Sequence, residues 1–158
     1  MESTATRTMH FKPEKVASIM FNPNRDPEWI GGAKSVEALS GDPTSIGARV
    51  TRHGGFMGRK FSWQTEVEDF KPNRMLRMRF IEGPMKGGEV SYRIEPDGNG
   101  SRVSIRNTGP GPQLMSWFVK RSVGKDLDRL ARLIAKSSSD LGSHLGGGAL
   151  PDSPLQDR

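Results

Sequence analysis

Three polar residues occupy positions where the sequence pattern directs side chains toward an apolar interior. Arg52 and Asn107 share strand parity with apolar residues of their own segments, and Tyr92 alternates within a third segment. An inward Arg can orient a ligand carboxylate or enolate, whereas Tyr and Asn can hydrogen-bond a carbonyl. For Arg52 we favour the alternative that the guanidinium reaches solvent past a strand end. These residues are candidates for binding a polar group, and no catalytic residue is assigned.

Two further residues are candidate acids or bases. His53 has the ordinary pKa best suited to a general base, but its parity with Thr51 directs it outward unless the glycines that follow form a bulge. Asp126 falls on the apolar face of a predicted helix, where burial can raise the pKa of a carboxyl and make it a general acid. The commoner role of such a residue is to pair with a nearby Arg or to cap a strand.

The sequence lacks the motifs that are typical of metal, nucleotide and cofactor sites. The three histidines are dispersed without a His-x-His or His-x-x-x-His spacing, so we expect no metal site. The absence of cysteine excludes disulfides, thiolate nucleophiles and cysteine-ligated zinc. Neither a P-loop nor a Ser-His-Asp order occurs, and the glycine-rich runs at 54–58 and 146–148 are typical of turns and linkers. We therefore expect no cofactor.

Alternation of apolar and polar residues predicts that most of the chain forms an antiparallel sheet. Segment 59–70 has the clearest period of two, with Phe61, Trp63, Thr65 and Val67 on one face. Shorter strands are predicted at 4–11, 34–39, 48–53, 76–80, 90–94 and 103–105. The short turns between the later strands exclude parallel crossovers. Two short helices, one beginning at Pro13 and one around Pro27, follow the first strand.

A long helix is predicted from about Pro112 to Lys136, where apolar residues recur every three or four positions. Its other side carries a basic stripe of Arg121, Lys125, Arg129, Arg132 and Lys136. We predict an α+β fold, in which a curved antiparallel sheet of about six or seven strands wraps on this helix. Residues 1–136 form a single domain, and the Gly, Ser and Pro content of 137–158 predicts a flexible tail.

A sheet that curves away from a single helix leaves a cavity unless large side chains fill it. Aromatic and Met side chains on such a surface suit flat apolar ligands, because rings stack and thioethers repack. The alternative is that these side chains fill a solid core. Phe56 is one inward candidate, and the predicted ligand-binding residues are Trp29, Arg52, Phe61, Trp63, Met78, Phe80, Tyr92, Ile105, Asn107, Met115, Phe118, Val119 and Ser122.

Four sequence stretches follow one another along the chain in an order that can be compared with known families. They are KPEKVASIMFNPNRDPEW, DPTSIGARV, EVEDFKPNRMLRMRF and, in the final helix, DLDRLARLI. Over roughly residues 4–136 this order resembles the START-related helix-grip superfamily (SRPBCC), and within it the polyketide cyclase/dehydrase-like branch. The resemblance implies a hydrophobic small molecule held between the curved sheet and the long helix. Some members are cyclases, dehydratases or aromatase-like enzymes, so catalysis is a second implication.

The charge balance is basic, with a net charge of +6 from 24 Lys and Arg against 18 Asp and Glu. Because no dense basic block occurs, we favour scattered solvated charges and expect no nucleic-acid partner. No signal-type apolar region or membrane-spanning run is present. The sequence therefore predicts a cytoplasmic protein without integral membrane association, either a monomer or a weak homodimer.

Three functions remain open from the sequence. The first is a carrier or sensor for a hydrophobic small molecule, such as a lipid, a polyketide-like aromatic or an isoprenoid. The second is a cyclase or dehydratase that uses the same cavity with one or two polar groups. The third is binding of an anionic surface or a nucleic acid through the basic stripe of the long helix. An inward acid with a shifted pKa favours the enzyme, whereas a cavity with only Tyr or Asn favours the carrier.

Overall fold

The predicted order of strands and helices is confirmed in a computed structural model that describes residues 1–37 and 41–146. The elements in chain order are β1 (Glu2–Met9), α1 (Pro13–Met20), a 3-10 helix (Pro23–Arg25), α2 (Asp26–Trp29), β2 (Ala33–Val36), β3 (Arg49–Phe56), β4 (Arg59–Lys71), β5 (Met75–Glu82), β6 (Glu89–Asp97), β7 (Gly100–Thr108) and α3 (Met115–Gly146). The predicted strand at 34–39 ends at Val36, and residues 38–40 lie outside the described residues.

The strands form one seven-stranded antiparallel sheet in the order β1-β7-β6-β5-β4-β3-β2. Neighbours from β2 to β7 follow one another in sequence because short turns join them. The exception is β1, which pairs with β7 from Glu2 opposite Thr108 to Met9 opposite Ser101. The edge strands of the sheet are therefore β1 and β2, and α1, α2 and α3 pack against its strands.

Two irregularities in β4 curve the middle of this sheet. The register between β4 and β5 shifts between Gln64 and Thr65, and again between Val67 and Asp69. Each bulge bends the strand locally and increases its twist. After the second bulge Phe70 takes the inward position and packs against the core, in edge contact with Phe21. The bends make room on the concave face beside Thr65.

The core lies between the concave face of the sheet and one stripe of α3. Leu127, Leu130 and Ile134 are fully buried there, against strand residues that include Ile94 and Val103. Each such side chain contributes about 1.5–3 kcal/mol to stability through removal from water. Trp29, expected to fold back as a plug, is 1% exposed and belongs to the same cluster.

Helix α3 continues to Gly146, beyond the predicted end at Lys136. The apolar period stops near Ile134, so the sequence carried no signal for the last helical turns. Helical structure thus extends into the segment predicted as a tail, whose flexibility stays a prediction. Residues 147–158 lie outside the described residues. Within the part of the chain that the structure describes, no helix is both long and apolar enough to span a bilayer.

Candidate functional site

The concave face of the sheet, α2 and α3 enclose a cavity of about 120 Å³. Its walls come from five of the strands, from α2 and the residue that follows it, and from the middle of α3. The lining is mostly apolar, with a few polar side chains among aromatic and aliphatic ones. The lining residues are Trp29, Ile30, Arg52, Trp63, Thr65, Met78, Phe80, Val90, Tyr92, Ile105, Asn107, Val123 and Asp126.

The predicted ligand-binding residues divide into two groups in the structure. Those that line the cavity are Trp29, Arg52, Trp63, Met78, Phe80, Tyr92, Ile105 and Asn107. Those that do not are Phe61, Met115, Phe118, Val119 and Ser122. The cavity also takes in Ile30, Thr65, Val90 and Val123, which the site prediction omitted, and Asp126, which was predicted only as a candidate acid. Strand parity could have identified Thr65 and Val90, because both share a face with predicted members.

The helix residues outside the cavity are explained by their positions around α3. Met115 is 49% exposed and Phe118 is 59% exposed. Phe118 precedes the buried Leu127 by nine positions, which at 3.6 residues per turn is about half a turn around the helix. Its ring therefore points away from the core stripe and does not form a cavity wall. Val119 and Ser122 are half-buried, and the cavity wall on α3 is formed by Val123 and Asp126 instead.

A surface groove adjoins the cavity along the β3–β4 hairpin. It has a volume of about 740 Å³ and is lined by Gly31, Lys34 and residues 53–62. Phe61 belongs to this groove and packs against Trp63 of the cavity, with ring centroids 5.5 Å apart. Phe56 also lines it but is largely exposed, which corrects the expectation that its ring points into the interior.

A buried ion pair stands at the polar wall of the cavity. Arg52 is 4% exposed, so the favoured expectation that it reaches solvent is wrong. Its Nε donates to Asp26 Oδ2 at 2.5 Å, and its Nη1 donates to Thr65 Oγ1 at 2.8 Å. Burial raises the pKa of Asp26, and the neighbouring guanidinium offsets part of that rise. Because Arg52 is already paired, its main role is to hold this wall together.

The carboxylate of Asp126 reaches the cavity from α3. Its Oδ1 accepts a hydrogen bond from the Gly31 amide at 3.0 Å and another from Arg129. Burial raises the pKa of Asp126, while these two donors act in the opposite direction. Arg129 also donates from Nε to the Trp29 carbonyl at 3.0 Å. Arg129, which was expected to lie in a solvated basic stripe, therefore links α3 to α2.

Hydrogen-bonding side chains complete the cavity. The indole Nε1 of Trp29 is buried and has no partner among the described residues. The polar side chains of Tyr92 and Asn107 line the same cavity. Burial raises the pKa of Tyr92 and the nearby Asp26 charge raises it further, so its hydroxyl stays neutral and able to donate. These groups can satisfy a carbonyl or hydroxyl of a ligand.

The remaining candidate base points away from the cavity, as its parity predicts. His53 contacts Ser62 through Nδ1 at 2.6 Å and Glu37 through Nε2 at 3.0 Å. Both partners are surface residues of neighbouring strands or loops, so His53 is not placed to act on a ligand in the cavity. Among the side chains that the structure describes, in residues 1–37 and 41–139, no group of three or more His, Asp or Glu could hold a metal ion.

The family whose model matches the chain is described as polyketide cyclase / dehydrase and lipid transport, and the match covers residues 1–135. The match spans every strand and α3 as far as the end of its buried stripe. A comparison with curated proteins found no match.

Three solved structures with a similar fold come from different proteins and organisms. The protein TTHA0849 from Thermus thermophilus is 22% identical, with a TM-score of 0.72 over 87% of this chain and 99% of its own. DynU16, from the dynemicin biosynthetic locus, is 18% identical, with a TM-score of 0.66 over 86% of this chain and 48% of its own. The Aha1 dimer from Colwellia psychrerythraea is 17% identical, with a TM-score of 0.62 over 85% and 96%. At such identities the likeness shows the fold alone.

Proposed function

The chain belongs to the polyketide cyclase / dehydrase and lipid transport family, and from that premise we propose that it binds a hydrophobic small molecule in the cavity between sheet and α3. The ligand is an apolar molecule with at least one carbonyl or hydroxyl group. Lipids, polyketide-like aromatics and isoprenoids all fit this description. The observation that carries the proposal is an apolar cavity lined by Tyr92 and Asn107, beside Trp29, whose buried indole Nε1 has no hydrogen-bond partner among the described residues.

The size of the cavity limits what it holds. An apolar cavity of about 150 Å³ takes a benzene ring, and the volume here is about 120 Å³. The cavity therefore holds at most one ring or a short branched segment. A buried donor without a partner is unfavourable, so a ligand oxygen accepting from Trp29 Nε1 gains free energy that a pure hydrocarbon does not.

The hairpin groove provides space for the rest of a larger ligand. Its volume of about 740 Å³ falls within the range of about 300–1,000 Å³ that is common for small-molecule sites. Phe61 of the groove packs against Trp63 of the cavity, so the two sites are neighbours. The basic side chains of Lys34 and Lys60 line the groove as well, so an acidic group at the far end of the ligand is favoured there.

Native mass spectrometry of protein purified from its own host tests this proposal. We expect wild-type protein to carry a bound apolar molecule. Val123→Phe, which places a ring in the cavity, should lower the bound fraction about tenfold, because one ring takes most of the enclosed volume. Ala135→Phe, at an exposed position of the same helix, is the matched control and should leave binding unchanged. Equal occupancy in both variants would place the ligand elsewhere.

A second candidate function is catalysis, and the buried carboxyl of Asp126 favours it. A carboxylate in the cavity can take a proton from the carbon between two carbonyls of a β-ketone chain. The enolate then attacks a second carbonyl of the same chain, and the returning proton neutralises the alkoxide. A neutral Tyr92 hydroxyl can stabilise the enolate oxygen. Subsequent loss of water would give an aromatic ring.

Comparison of Asp126→Asn with Asp128→Asn separates the carrier from the enzyme. Asp128 is an exposed acid on the same helix that pairs with Arg7, so its substitution controls for charge and position. A cyclase should lose about 10²–10⁴-fold in turnover of a β-ketone thioester with Asp126→Asn alone, while still binding it. A carrier shows no turnover in wild-type protein and binds with or without the Asp126 carboxylate.

We also propose that the protein is cytoplasmic and either a monomer or a weak homodimer. The absence of cysteine is compatible with a reducing compartment. The structurally similar Aha1 protein is a dimer, which makes self-association worth measuring. Sedimentation velocity over a range of concentrations gives the answer directly, since a weak dimer dissociates on dilution.

A further inference from the structure

The first turns of α3 expose large apolar side chains on the outside of the molecule. Leu114, just before the helix, is 78% exposed, and Trp117 and Phe118 are 57% and 59% exposed. The two rings pack against each other edge to face, with centroids 4.9 Å apart. Large apolar side chains that adjoin one another on a surface mark an interaction site more often than scattered ones do. We call the surface of Leu114, Trp117, Phe118, Lys120 and Arg121 the α3 patch.

The α3 patch is not a displaced wall of the cavity. Leu114, Phe118 and Arg121 are spaced four and three residues apart, so they share one side of the helix. The buried stripe of Leu127, Leu130 and Ile134 lies on the opposite side. Closing α3 further onto the sheet would therefore leave these side chains in solvent. Among the described residues nothing covers them, so a partner is needed.

The charge around the α3 patch indicates the chemistry of that partner. Lys120, Arg121 and Lys125 are exposed on these turns, and the Arg121 guanidinium lies 5.7 Å from the centroid of the Trp117 ring. No Asp or Glu occurs anywhere between Asp97 and Asp126. Aromatic side chains beside Lys and Arg form the pattern of helices that lie in the headgroup region of anionic bilayers.

A second group of exposed apolar side chains lies at the same end of the sheet. The antiparallel order places the end of β7, which leads into α3, at the same end as the β3–β4 turn. That turn exposes Phe56 and Met57, with the basic residues Arg59 and Lys60 directly after them. This end of the molecule thus carries two sets of apolar side chains, each flanked by cations.

We propose that this end of the molecule docks on an anionic lipid bilayer, with Trp117 and Phe118 inserted among the headgroups. A second copy of the chain is a poorer occupant, because a two-fold interface would bring Lys120 and Arg121 against their own counterparts. The cavity residues Trp63 and Asn107 lie toward this same end of their strands. Docking therefore brings the binding site close to the bilayer, although attachment itself requires no ligand.

Cosedimentation with vesicles tests the docking surface directly. Wild-type protein should bind phosphatidylcholine vesicles that contain phosphatidylserine, bind pure phosphatidylcholine only weakly, and dissociate as salt is raised. Its tryptophan emission should shift to the blue on binding, because Trp117 leaves water. Because the assay uses no apolar ligand, its outcome is independent of whether the cavity is ever occupied.

Two double variants and their controls locate the contact. Lys120→Glu/Arg121→Glu and Trp117→Ser/Phe118→Ser should each reduce cosedimentation with anionic vesicles at least about tenfold. Arg93→Glu/Arg102→Glu has the same change in net charge on exposed strand positions away from this end. Ile46→Ser removes an exposed apolar side chain from the opposite end of the sheet. Both controls should bind within about twofold of wild type.

Three results would overturn the proposal. One is failure of the wild type to bind anionic vesicles at low salt. Another is equal loss of binding in the patch variants and the controls, which would mean that net charge alone attracts the protein. The third is a wild-type dimer that Trp117→Ser/Phe118→Ser converts to a monomer, which would assign the α3 patch to self-association.

Discussion

At the scale of single residues, the least expected contact is the buried pair of Arg52 and Asp26. Parity placed Arg52 on the inward face, but its partner lies 26 positions earlier in the chain, on a short helix whose orientation no local pattern reveals. Tyr92 and Asn107 were easier to place, because alternation alone decides which face of a strand they occupy. Sequence thus predicted the facing of strand residues and missed the pairing between elements.

Breaking this pair should destabilise the fold strongly. Arg52→Met leaves the Asp26 carboxylate buried without a cation, and we expect a loss of about 3–5 kcal/mol in the free energy of unfolding. Asp26→Asn added to it should restore part of that loss. Urea unfolding followed by circular dichroism measures both. Arg7→Met, which removes an exposed pair with Asp128, should cost about 1 kcal/mol or less. A similar loss in both single variants would contradict the account.

The raised pKa of Asp126 predicts a pH dependence of stability. The folded protein holds this proton more tightly than the unfolded chain does, so the carboxyl contributes stability at low pH and loses it as pH rises through the folded pKa. The stability of wild type relative to Asp126→Asn should therefore increase as pH falls from 7 toward about 4. Urea midpoints of both proteins across this range give the difference. A difference that shrinks on acidification would mean that Arg129 dominates.

At the scale of elements, the sequence predicted the buried stripe of α3 but not which of its apolar side chains are exposed. Its start and its buried stripe followed from apolar spacing, since Leu127, Leu130 and Ile134 recur at helical intervals. The same spacing included Met115 and Phe118, which are exposed. An apolar run shows which residues share a side of a helix, but it does not show how far along the helix the sheet extends beneath it.

Two glycines in different elements should respond to alanine in opposite ways. At Gly124 of α3, an added Cβ meets only the end of the Arg7 side chain at 2.6 Å, which can move aside. Gly124→Ala should therefore stabilise the protein by up to about 1 kcal/mol through helix propensity. At Gly54 of β3, a Cβ would overlap the backbone carbonyl of Gly32, and Gly54→Ala should cost at least about 1–3 kcal/mol. Thermal unfolding of both variants checks the contrast, and equal effects would argue against the close approach of β2 to β3.

At the scale of the whole molecule, the predicted curved sheet closed by a long helix is confirmed. The sequence features that lead to this arrangement can be identified. Apolar and polar residues alternate clearly in β2 to β7, and short turns join these strands. The sequence therefore predicted that they pair in chain order as an antiparallel meander. Pairing of β1 with β7 was not readable from the sequence, because that register joins residues up to 106 positions apart. The cavity depends on the two bulges of β4 and on the angle of α3, and both are outcomes of packing rather than of any local motif.

The three tryptophans provide the most direct test of ligand binding in the cavity. Trp29 and Trp63 line it, whereas Trp117 lies outside on α3, so their indole Nε1–H signals act as two reporters and one internal control. In ¹⁵N-labelled protein titrated separately with a fatty acid, an isoprenoid alcohol and a flat aromatic hydroxyketone, at least one ligand should move the Trp29 and Trp63 signals and leave Trp117 in place. If all three ligands leave Trp29 and Trp63 unmoved in folded protein, or move Trp117 alone, the cavity does not bind the proposed class of molecule.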